Sequence, residues 1–454
     1  MKSSIVARPI GWLALAFVCA GAPVDAMAAD MKEPKGMSQN LPADFSTMRP
    51  IRKPQRMEIT VGQGEGDLQG NDDKVIQAAV DYVFRLGGGA VRVLPGSYMM
   101  RNSIFLRPGI TLRGSGDKTI LKKAPSVSTS LTRDADAFEY CLQVADPKGF
   151  TVGCGICVQN KPSAAEHDIT EIAFYTVTAI QGNVLYLDRH CEKDYWMETE
   201  AKVQTLFSIL YGRDVNDVSV EDIVLDGSRA ENAKLDDNYG CAAFAQNCNR
   251  WSFRNVIAHD FNGDGFSFQG SNDFRFENCR SLNNTVLGFH PGSGSQRPTF
   301  KSCVAKGNYE GLYWCWSACD GLAEDCTLSD NIRYGTNFGH RDTDNVLRNC
   351  AIERNGKSGV NFRIEQGENR QGDRNRLEGC AISDNGGALG DCGVDIQGRT
   401  RDITIVNCRF KNSKDGKQKV AIRISPEAER ITLEGNTFTD CPVEVLDQRV
   451  KPAK

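Results

Sequence analysis

Phe274-Arg-Phe-Glu-Asn-Cys279 is a short strand-like run that ends in cysteine, and the same arrangement recurs through the second half of the chain. The repeated cysteines stand 23 to 30 residues apart. Similar runs without the cysteine extend the pattern back to Val218 and forward to Asn436. The five further cysteine-closed runs are Thr299–Cys303, Leu322–Cys326, Val346–Cys350, Leu377–Cys380 and Ile403–Cys408.

A second short run follows each of the first five cysteines and opens with glycine, so each repeat holds two strands and their turns. A unit of this length cannot bury its apolar face alone, and neighbouring units must stack into a solenoid with a continuous core. Strands this short, with no helix between them, predict an all-β fold, the right-handed parallel β-helix. The glycine-led runs are Gly288-Phe-His, Gly311-Leu-Tyr-Trp, Gly335-Thr-Asn-Phe, Gly359-Val-Asn-Phe and Gly393-Val-Asp-Ile.

The N-terminal residues 1–28 have the pattern of a secretory signal. Two basic residues precede a short apolar core at 11–20, and Ala26-Met-Ala28 fits a small-residue cleavage site. The core is too short to anchor in a bilayer. We therefore expect cleavage near Ala28, a periplasmic or extracellular location, and no membrane contact afterwards. Residues 29–58 are rich in Lys, Pro and Met without periodicity and predict a flexible leader.

Charge excludes one class of partner. The formal net charge is −4 with 25% charged residues, which provides no basic surface of the kind that nucleic-acid binding needs. We expect no nucleic-acid partner.

The repeated cysteines indicate a packing role in the core. A residue repeated at one place in every coil is most simply a small apolar side chain stacked in the core. Cys154-Gly-Ile-Cys157 and Cys315-Trp-Ser-Ala-Cys319 have the spacing of redox or metal pairs, but neither has a matching second pair. We expect structural or disulfide roles for both.

Residues 71–85 predict a helix at the N-terminal end of the solenoid. Apolar residues at 75, 76, 79, 80, 83 and 84 have helical spacing, with Asn71 or Asp72 as the N-cap and Gly87–Gly89 as the stop. An exposed solenoid end is an edge prone to aggregation, and a helix laid across it protects it.

One stretch of the chain resembles the N-terminal cap and first coil of the pectate-lyase-like superfamily of β-helix proteins. The motifs that carry the resemblance are, in order, Asp-Asp, an amphipathic helix, Gly-Gly-Gly, Val91-x-Val-x-Pro-Gly-x-Tyr98 and Ile110-x-Leu-x-Gly-x-Gly116. The resemblance covers residues 65–122 and is supported by the repeat from 218 onward. It implies the pectin lyase fold. That superfamily includes lyases, epimerases, hydrolases and phage tailspikes, so the resemblance leaves the activity open.

The repeat divides the mature chain into three parts. The N-cap helix and first coils are assigned to 59–139, and the main coils to 211–450. Between them, residues 140–210 interrupt the repeat with runs that alternate as antiparallel strands do, which predicts a small inserted β subdomain.

The pleat of the glycine-led strand sends alternate residues outward, which predicts two polar columns along one face of the solenoid. Successive rungs lie ~4.8 Å apart. The first column holds Ser267, His290, Tyr313, Asn337, Asn361 and Asp395, and the second holds Gln269, Gly292, Cys315, Gly339, Arg363 and Gln397. Arg341, Glu365 and Arg370 lie in the loops that follow, and residues 364–374 form an unusually long loop of the kind that often shapes a binding face.

Such a strip suits an extended anionic sugar chain, and we expect a polysaccharide partner. Proton abstraction beside a uronic carboxylate needs a positive group to offset the growing charge and a base near the ring proton. Arg341 or Arg363 suits the first role. The catalytic candidates are His290, His340, Arg363 and Tyr313. The substrate-binding candidates are Asp264, Gln269, Asn337, Arg341, Asn361, Glu365, Arg370 and Asp395.

Two family patterns bear on the reaction. Asn262-Gly-Asp-Gly-Phe266 is similar to the Asn-Thr-Asp-Gly-Phe of polygalacturonase-type hydrolases, and Gly339-His340 with Arg363-Ile-Glu365 is similar to their Gly-His-Gly and Arg-Ile-Lys. The paired aspartates that those enzymes carry one coil later are absent. Inverting hydrolysis needs two spaced carboxylates, and Asp264 has no evident partner.

Tyr334–Asp344 followed by Asn355–Phe362 resembles the mannuronan epimerase pattern of Tyr-Gly-x-Asp-Pro-His and then Asn-Gly-x-x-Gly. Asn337 and Phe338 stand where that family has Asp-Pro, and His340 matches its histidine only with one extra residue. The resemblance therefore does not assign the catalytic aspartate of that family.

The leading interpretation is an exported polysaccharide lyase or C5-epimerase. Re-protonation on the opposite face would make the enzyme an epimerase, and loss of the glycosidic oxygen would make it a lyase. The alternatives are a polygalacturonase-like glycoside hydrolase and a non-catalytic carbohydrate-binding or surface solenoid. No cofactor is assigned. Ca²⁺ is a candidate because β-helix lyases often use it and acidic loops occur at Asp342-Thr-Asp344 and Asp236-Asp237, although no twelve-residue calcium loop is present.

Overall fold

The structure is a computed structural model that describes residues 57–160, 172–235, 238–367 and 369–449. The predicted signal segment and leader residues 29–56 lie outside these ranges. Met57 and Glu58, which the composition assigns to the leader, belong to the first strand, where they pair with Gly89 and Ala90. The boundary is set by the hydrogen bonds of a parallel strand pair, which composition does not reveal.

Three parallel sheets surround one core, and each regular coil contributes one strand to each sheet. We name them sheets 1, 2 and 3 in the order in which the chain enters them. This arrangement confirms the predicted right-handed parallel β-helix.

Within the described residues, sheet 1 has thirteen strands: Met57–Gly62, Leu68–Gln69, Gly89–Val93, Ile110–Arg113, Ser219–Glu221, Ser252–Arg254, Arg275–Glu277, Thr299–Lys301, Leu322–Glu324, Val346–Arg348, Arg376–Glu378, Thr404–Val406 and Thr432–Glu434. Sheet 2 has eleven in the same ranges: Gly96–Met100, Thr119–Lys123, Val224–Asp226, Ile257–His259, Arg280–Leu282, Val304–Lys306, Thr327–Ser329, Ala351–Glu353, Ala381–Ser383, Arg409–Lys411 and Thr437–Thr439. The described strands of sheet 3 also number eleven: Ile104–Phe105, Leu210–Arg213, Cys241–Gln246, Asp264–Gln269, Leu287–Pro291, Glu310–Tyr313, Tyr334–Phe338, Ser358–Phe362, Cys392–Ile396, Val420–Ile424 and Val443–Asp447.

Equivalent residues of successive coils lie directly above one another in the core. Phe276 of sheet 1 pairs in register with Phe253 and Phe300, and the ring centroids are 4.9 and 5.0 Å apart. Trp314 stacks on Phe338 in the same way at 5.5 Å. Stacked aromatic rings bury large apolar areas, so the repeat supplies the core that no single coil has.

The six repeated cysteines line the turn from sheet 1 to sheet 2 and are buried. The Cys326 thiol lies 3.3 Å from the carbonyl oxygen of Glu324 and 3.4 Å from that of Phe300 in the preceding coil. No disulfide joins any of the sixteen cysteines in the described part of the chain, so Cys154, Cys157, Cys315 and Cys319 are not disulfide-bonded.

A ladder of buried amides, which the sequence analysis did not single out, lines the turn from sheet 2 to sheet 3. Asn331 shows its geometry: its Oδ1 accepts the backbone N–H of Asn308 at 3.1 Å, and its Nδ2 donates to the Ala305 carbonyl at 3.2 Å. Buried backbone groups at a turn need such partners. We call the set the amide ladder: Asn284, Asn308, Asn331, Asn355, Asn385 and Gln418.

The amide ladder explains why glycine is the second residue of the sheet 3 strands from Asp264–Gln269 to Cys392–Ile396. A Cβ atom at Gly335 would stand 2.8 Å from Nδ2 of Asn355 and 2.7 Å from the Gly359 carbonyl oxygen. Both neighbours are held by the ladder or by the backbone, so a side chain at this position has no room.

The predicted capping helix is present at Asp73–Arg85. Asp72 is its N-cap, and the Asp72 side chain accepts the Lys74 N–H at 3.1 Å. Ile76, Val80 and other apolar residues of one face are buried against the first coils. No helix in the described part of the chain is long and apolar enough to cross a membrane.

The insertion is an antiparallel sheet with a hydrophobic core of its own. Its first strand begins at Ser128 and its last ends at Gln204, which differs from the expected boundaries of 140 and 210. Asn102 joins it to the first coils, because its Nδ2 donates to the Gly153 carbonyl at 3.1 Å. We call it the inserted sheet; its strands are Ser128–Ser130, Cys141–Gln143, Gly155–Gln159, Ile172–Gln181, Val184–Leu187 and Lys202–Gln204.

Lys123 lies buried where the chain returns from the inserted sheet. Its Nζ donates to the Thr205 carbonyl at 3.1 Å and to Asn232 Oδ1 at 2.8 Å, and it lies 4.1 Å from the centre of the Phe207 ring. Burial lowers the pKa of Lys123 from 10.5 to about 7, while nearby Cys157 acts weakly in the opposite direction. Ammonium burial without a carboxylate partner is the reason for the shift.

We expect Asn331→Leu to lower the free energy of unfolding by about 2–4 kcal/mol, because it leaves buried backbone groups of the neighbouring turns without partners. Urea denaturation of the purified protein measures the change. Asn349→Gly is the matched control: Asn349 is an exposed asparagine with a φ of 52°, a conformation that glycine adopts freely. Equal destabilisation by both variants would contradict the role of the amide ladder.

Lys123→Met should flatten the pH dependence of stability. In the wild type, the unfolded chain binds more protons at Lys123 than the native chain does between about pH 7 and pH 10.5, so the free energy of unfolding rises with pH across this window. Methionine does not titrate. We expect the free energy of unfolding of the variant to exceed that of the wild type by about 2–4 kcal/mol at pH 6. This difference should shrink as the pH approaches 10. A constant difference across the window would contradict the assignment.

Candidate functional site

The outward residues of sheet 3 form one column parallel to the solenoid axis, as the alternation of the pleat predicts. Strand register pairs Ser267 with His290 and Tyr313 with Asn337. The column begins with three aromatic residues and becomes polar further along. We call it the sheet 3 column: Phe105, Tyr211, Phe244, Ser267, His290, Tyr313, Asn337, Asn361, Asp395 and Arg423.

Asp264 and His290 form a buried pair in the middle of the column. Nδ1 of His290 lies 2.8 Å from Oδ2 of Asp264 and 3.3 Å from the Ser267 hydroxyl. The Leu287 N–H donates to the other Asp264 oxygen at 2.8 Å. Relative exposures are 0% for Asp264 and 1% for His290. The structure therefore does not present Asp264 to a bound chain, although the sequence analysis named it as a substrate contact.

Opposing effects act on the pKa of His290. Burial disfavours the imidazolium, but the hydrogen bond to Asp264 and the influence of Cys315 outweigh it, so the pKa of His290 is raised well above its usual value. In the described chain, Nε2 of His290 has no hydrogen-bond partner. The ring meets the Tyr313 ring edge-on, with centroids 5.5 Å apart.

Tyr313 lies between His290 and an arginine. The guanidinium carbon of Arg363 stands 4.5 Å from the centre of the Tyr313 ring. Burial raises the pKa of Tyr313, and the charge of Arg363 opposes that rise. The half-buried phenol is therefore protonated at neutral pH beside a fixed positive charge.

Arg363 is fixed by three acceptors. Nη2 donates to the Trp314 carbonyl and to Oδ2 of Asp342, each at 3.1 Å, and Nε lies 3.5 Å from Glu365. Among the described residues Nη1 has no partner. The guanidinium is held through Nε and Nη2, and the buried Nη1 retains unused hydrogen-bonding capacity.

Asp342 is the buried anchor of Arg363. Its carboxylate also accepts the Gly339 N–H at 2.9 Å and the Ala318 N–H at 3.1 Å. Burial raises the pKa of Asp342 to about 7, against the lowering effect of Arg363. Two buried carboxyl groups thus position the site: Asp264 binds His290, and Asp342 binds Arg363.

His340 and Glu365 form a second histidine–carboxylate pair at the surface of the site. Nδ1 of His340 lies 3.3 Å from Oε2 of Glu365. The His340 ring stacks on the indole of Trp316 with centroids 4.5 Å apart and planes at 20°. Trp316 is 55% exposed. An oriented imidazole beside an exposed aromatic face is an arrangement suited to a ring-shaped ligand.

The loops that carry this pair have unusual backbone conformations. Trp316, Ser317, His340 and Arg341 all have positive φ, between 39° and 71°. Single non-glycine residues with positive φ recur at many turns of the described solenoid, such as Asn278 and Asp325, but each of these two loops holds two in succession. Bulky residues adopt this region only where surrounding structure enforces it. Hydrogen bonds between the two loops do so here, including the Ser317 N–H to the His340 carbonyl at 3.0 Å.

Beyond Tyr313, the column becomes a chain of amides. Asn337 donates to Glu310 at 2.8 Å and accepts from Asn361 at 2.8 Å. Gln397 bridges Asn361 and Asp395 at 3.0 Å each. All three column residues are buried, so their polar atoms serve one another first.

The remaining predicted residues lie at the edges of the sheet 3 column. Gln269 is buried and supports Ser267, whose hydroxyl accepts from Nε2 at 3.3 Å. Arg341 and Arg370 are exposed in adjoining loops, joined by the Arg341 N–H to the Arg370 carbonyl at 2.9 Å. The structure thus brings His290, Tyr313 and Arg363 into direct contact, and links His340 to them through Glu365.

Three residues of the site were missed in the sequence: Glu310, Asp342 as the anchor of Arg363, and Trp316. Glu310 has a detectable signal in the sequence, because it directly precedes one of the repeated glycines, as Asp264 does. Burial raises the pKa of Glu310, opposed by the hydrogen bond from Asn337 and the charge of Arg333. Trp316 has no sequence signal, since its exposure depends on loop conformation.

The aspartates of the acidic loop proposed for calcium bind arginines. Asp342 binds Arg363, and Asp344 binds Arg374 at 2.7 Å. Across the described ranges, no group of three or more His, Cys, Asp or Glu side chains is arranged to hold a metal ion. The other acidic loop, Asp236-Asp237, lies outside the described residues.

Comparison with known proteins gives the same fold. The A-modules of the Azotobacter vinelandii mannuronan C-5 epimerases AlgE4 and AlgE6 match with TM-scores of 0.52 and 0.51 at 17% and 16% identity. The match covers 84% of this chain in both cases, and 94% and 92% of the two modules. No curated protein matches the sequence.

A family of sequences described as the right handed beta helix region matches residues 221–369 and 319–449. These segments are the coils whose strands, cysteines and amides repeat in register. The chain belongs to the right-handed β-helix family.

Proposed function

We propose that this protein acts on a uronic-acid-containing polysaccharide by removing the proton next to the carboxylate, as a lyase or C5-epimerase. The observation that carries the proposal is the contact of Arg363 with both Tyr313 and Glu365, the partner of His340. One fixed cation thereby stands between two groups that handle protons.

The two proton-handling groups differ in the way the reaction requires. Tyr313 is kept protonated by burial and is suited to donate a proton. His340 is oriented through Nδ1 by Glu365, which leaves Nε2 to accept one. Different environments for two titratable groups are the usual sign of an acid and a base in one site.

Arg363 suits the charge that develops. Loss of the carbon-5 proton moves an electron pair toward the uronic carboxylate, and a preorganised guanidinium stabilises that charge without rearranging. If Tyr313 returns a proton to the opposite face of carbon 5, the sugar is epimerised. If instead the carbon 4–oxygen bond breaks with that electron pair and the proton goes to the leaving oxygen, the product is an unsaturated sugar.

Trp316 adds a binding surface. Its exposed indole, stacked on His340, offers a flat apolar face to a pyranose ring. The structures with a similar fold that bear the name mannuronan C-5 epimerase make mannuronan the first substrate to test. Export, inferred from residues 1–28, would bring the protein to such extracellular polymers.

Hydrolysis through Asp264 is less well supported, because that carboxylate is fully buried and bonded to His290. A non-catalytic solenoid remains the alternative from another class. Incubation with mannuronan and polygalacturonate separates the possibilities: near-ultraviolet absorbance of an unsaturated uronate identifies a lyase, and deuterium uptake at carbon 5 in heavy water identifies an epimerase. Reducing ends without either signal would indicate a hydrolase. Binding without any product would contradict the proposed lyase or epimerase activity.

Tyr313→Phe should lower kcat/KM on the responsive polymer by about 10²–10⁴ while leaving binding unchanged, because it removes the donor proton but keeps the ring. Steady-state kinetics with the polymer measures the loss. Tyr309→Phe is the matched control: Tyr309 also lies beside an arginine, with Arg333 5.5 Å from its ring centre, but it is outside the column. An active Tyr313→Phe enzyme would remove Tyr313 from the acid role.

His340→Gln should reduce turnover by about 10²–10⁴, and Glu365→Gln by less, since Glu365 acts by orienting the imidazole. Steady-state kinetics distinguishes orientation from structure, because loss of the orienting carboxylate should lower kcat with KM unchanged. His259→Gln is the matched control: His259 lies 2.9 Å from Asp260 in another surface pair, on sheet 2. Equal loss in His259→Gln and His340→Gln would indicate general destabilisation.

A further inference from the structure

The inserted sheet carries an exposed group of three aromatic rings. Phe138 and Tyr140 are 76% and 59% exposed. The His190 ring lies between them, with centroids 5.2 Å from Phe138 and 5.9 Å from Tyr140. The inserted sheet already has its own buried core, so these rings are not needed to complete it. We call the three the aromatic platform.

The backbone holds Phe138 outward at a conformational cost. Its φ is 73°, in the left-handed region that bulky residues rarely enter. The Phe138 N–H donates to the Cys191 carbonyl at 2.9 Å, which joins Phe138 to the loop that carries His190. Glu139 is clamped by Arg133 through two hydrogen bonds of 3.0 and 2.7 Å. Hydrogen bonds therefore fix the backbone from which these rings project.

The aromatic platform is joined to the start of the sheet 3 column through Arg189, the chain neighbour of His190. Arg189, next to His190 in the chain, lines a cleft together with Phe105 and Tyr211, the first two residues of that column. Glu192 lies 3.9 Å from Arg213 at the end of the Tyr211 strand. A chain bound beside the half-buried Tyr313 and extending toward Phe105 reaches the cleft that Arg189 lines, one residue from His190 in the sequence.

We propose that Phe138, Tyr140 and His190 form a second glycan-binding site, which stacks against a pyranose ring of the polysaccharide whose other residues occupy the sheet 3 column. The inference rests on the proposed function. Flat rings match the apolar C–H face of a pyranose, and a fixed backbone lowers the entropy lost on binding. Three rings flanked by paired charges form a patch too small for a stable protein interface, which favours a sugar chain as the occupant.

The test is the dependence of affinity on chain length. Calorimetry with mannuronan and galacturonan oligomers of increasing length should show a gain for wild-type protein once a chain reaches the platform. The double variant Phe138→Asn/Tyr140→Ala should lose this gain, roughly tenfold for the longest oligomers, and bind the shortest ones normally. Asparagine tolerates positive φ, so the backbone turn survives, and thermal unfolding checks that the sheet is intact. Tyr82→Ala, on an exposed tyrosine of the capping helix, is the control.

The outcomes separate the two proposals. Loss of the length-dependent gain supports the platform even if no polymer is turned over, in which case the proposed reaction fails alone. Turnover with an unchanged length dependence in the double variant overturns the platform and leaves the reaction standing. Equal weakening for short and long oligomers, or no length-dependent gain in the wild type with either polymer, also overturns it.

Discussion

The in-register stacking of parallel coils is the constraint on which the rest of the structure depends. Each strand lies one hydrogen-bonded spacing from its predecessor, so each residue meets its own equivalent above and below. Only side chains that stack favourably on copies of themselves suit such positions. Phenylalanines on sheet 1, cysteines at the first turn and amides at the second are three solutions to that one condition.

The same constraint builds the site. Outward side chains of sheet 3 stand too close together to be solvated separately, and amides such as Asn337 and Asn361 satisfy one another. Where ionisable residues take the place of amides, they share a confined and partly dry environment. The pKa of His290 and that of Asp342 both rise there. Ionisable groups are thus concentrated around Asp264, His290, Arg363 and Asp342, while Asp395 and Arg423 pair with each other further along the column.

The loops add what the sheet lacks. Arg363 and Glu365 follow one sheet 3 strand, and Trp316 and His340 follow the two strands before it. Their contacts run between coils, across loops with positive φ. At the other end of the column, the inserted sheet provides a second surface beside Phe105 and Tyr211. A regular solenoid therefore carries an irregular, specific surface only where strands end.

Sequence alone determined the solenoid, the capping helix and the identity of the outward residues, because a period of one coil and a pleat of two residues turn spacing directly into position. It also identified His290, Tyr313 and Arg363 as neighbours on one face. It did not reveal that Asp264 and His290 are buried, that Asp342 anchors Arg363, or that Trp316 stacks on His340. These features depend on how loops of different coils fold over the sheet, and the amide ladder was overlooked although its spacing is as regular as that of the cysteines. Burial and loop contacts join residues 20 to 30 positions apart through space, and only the tertiary structure decides them.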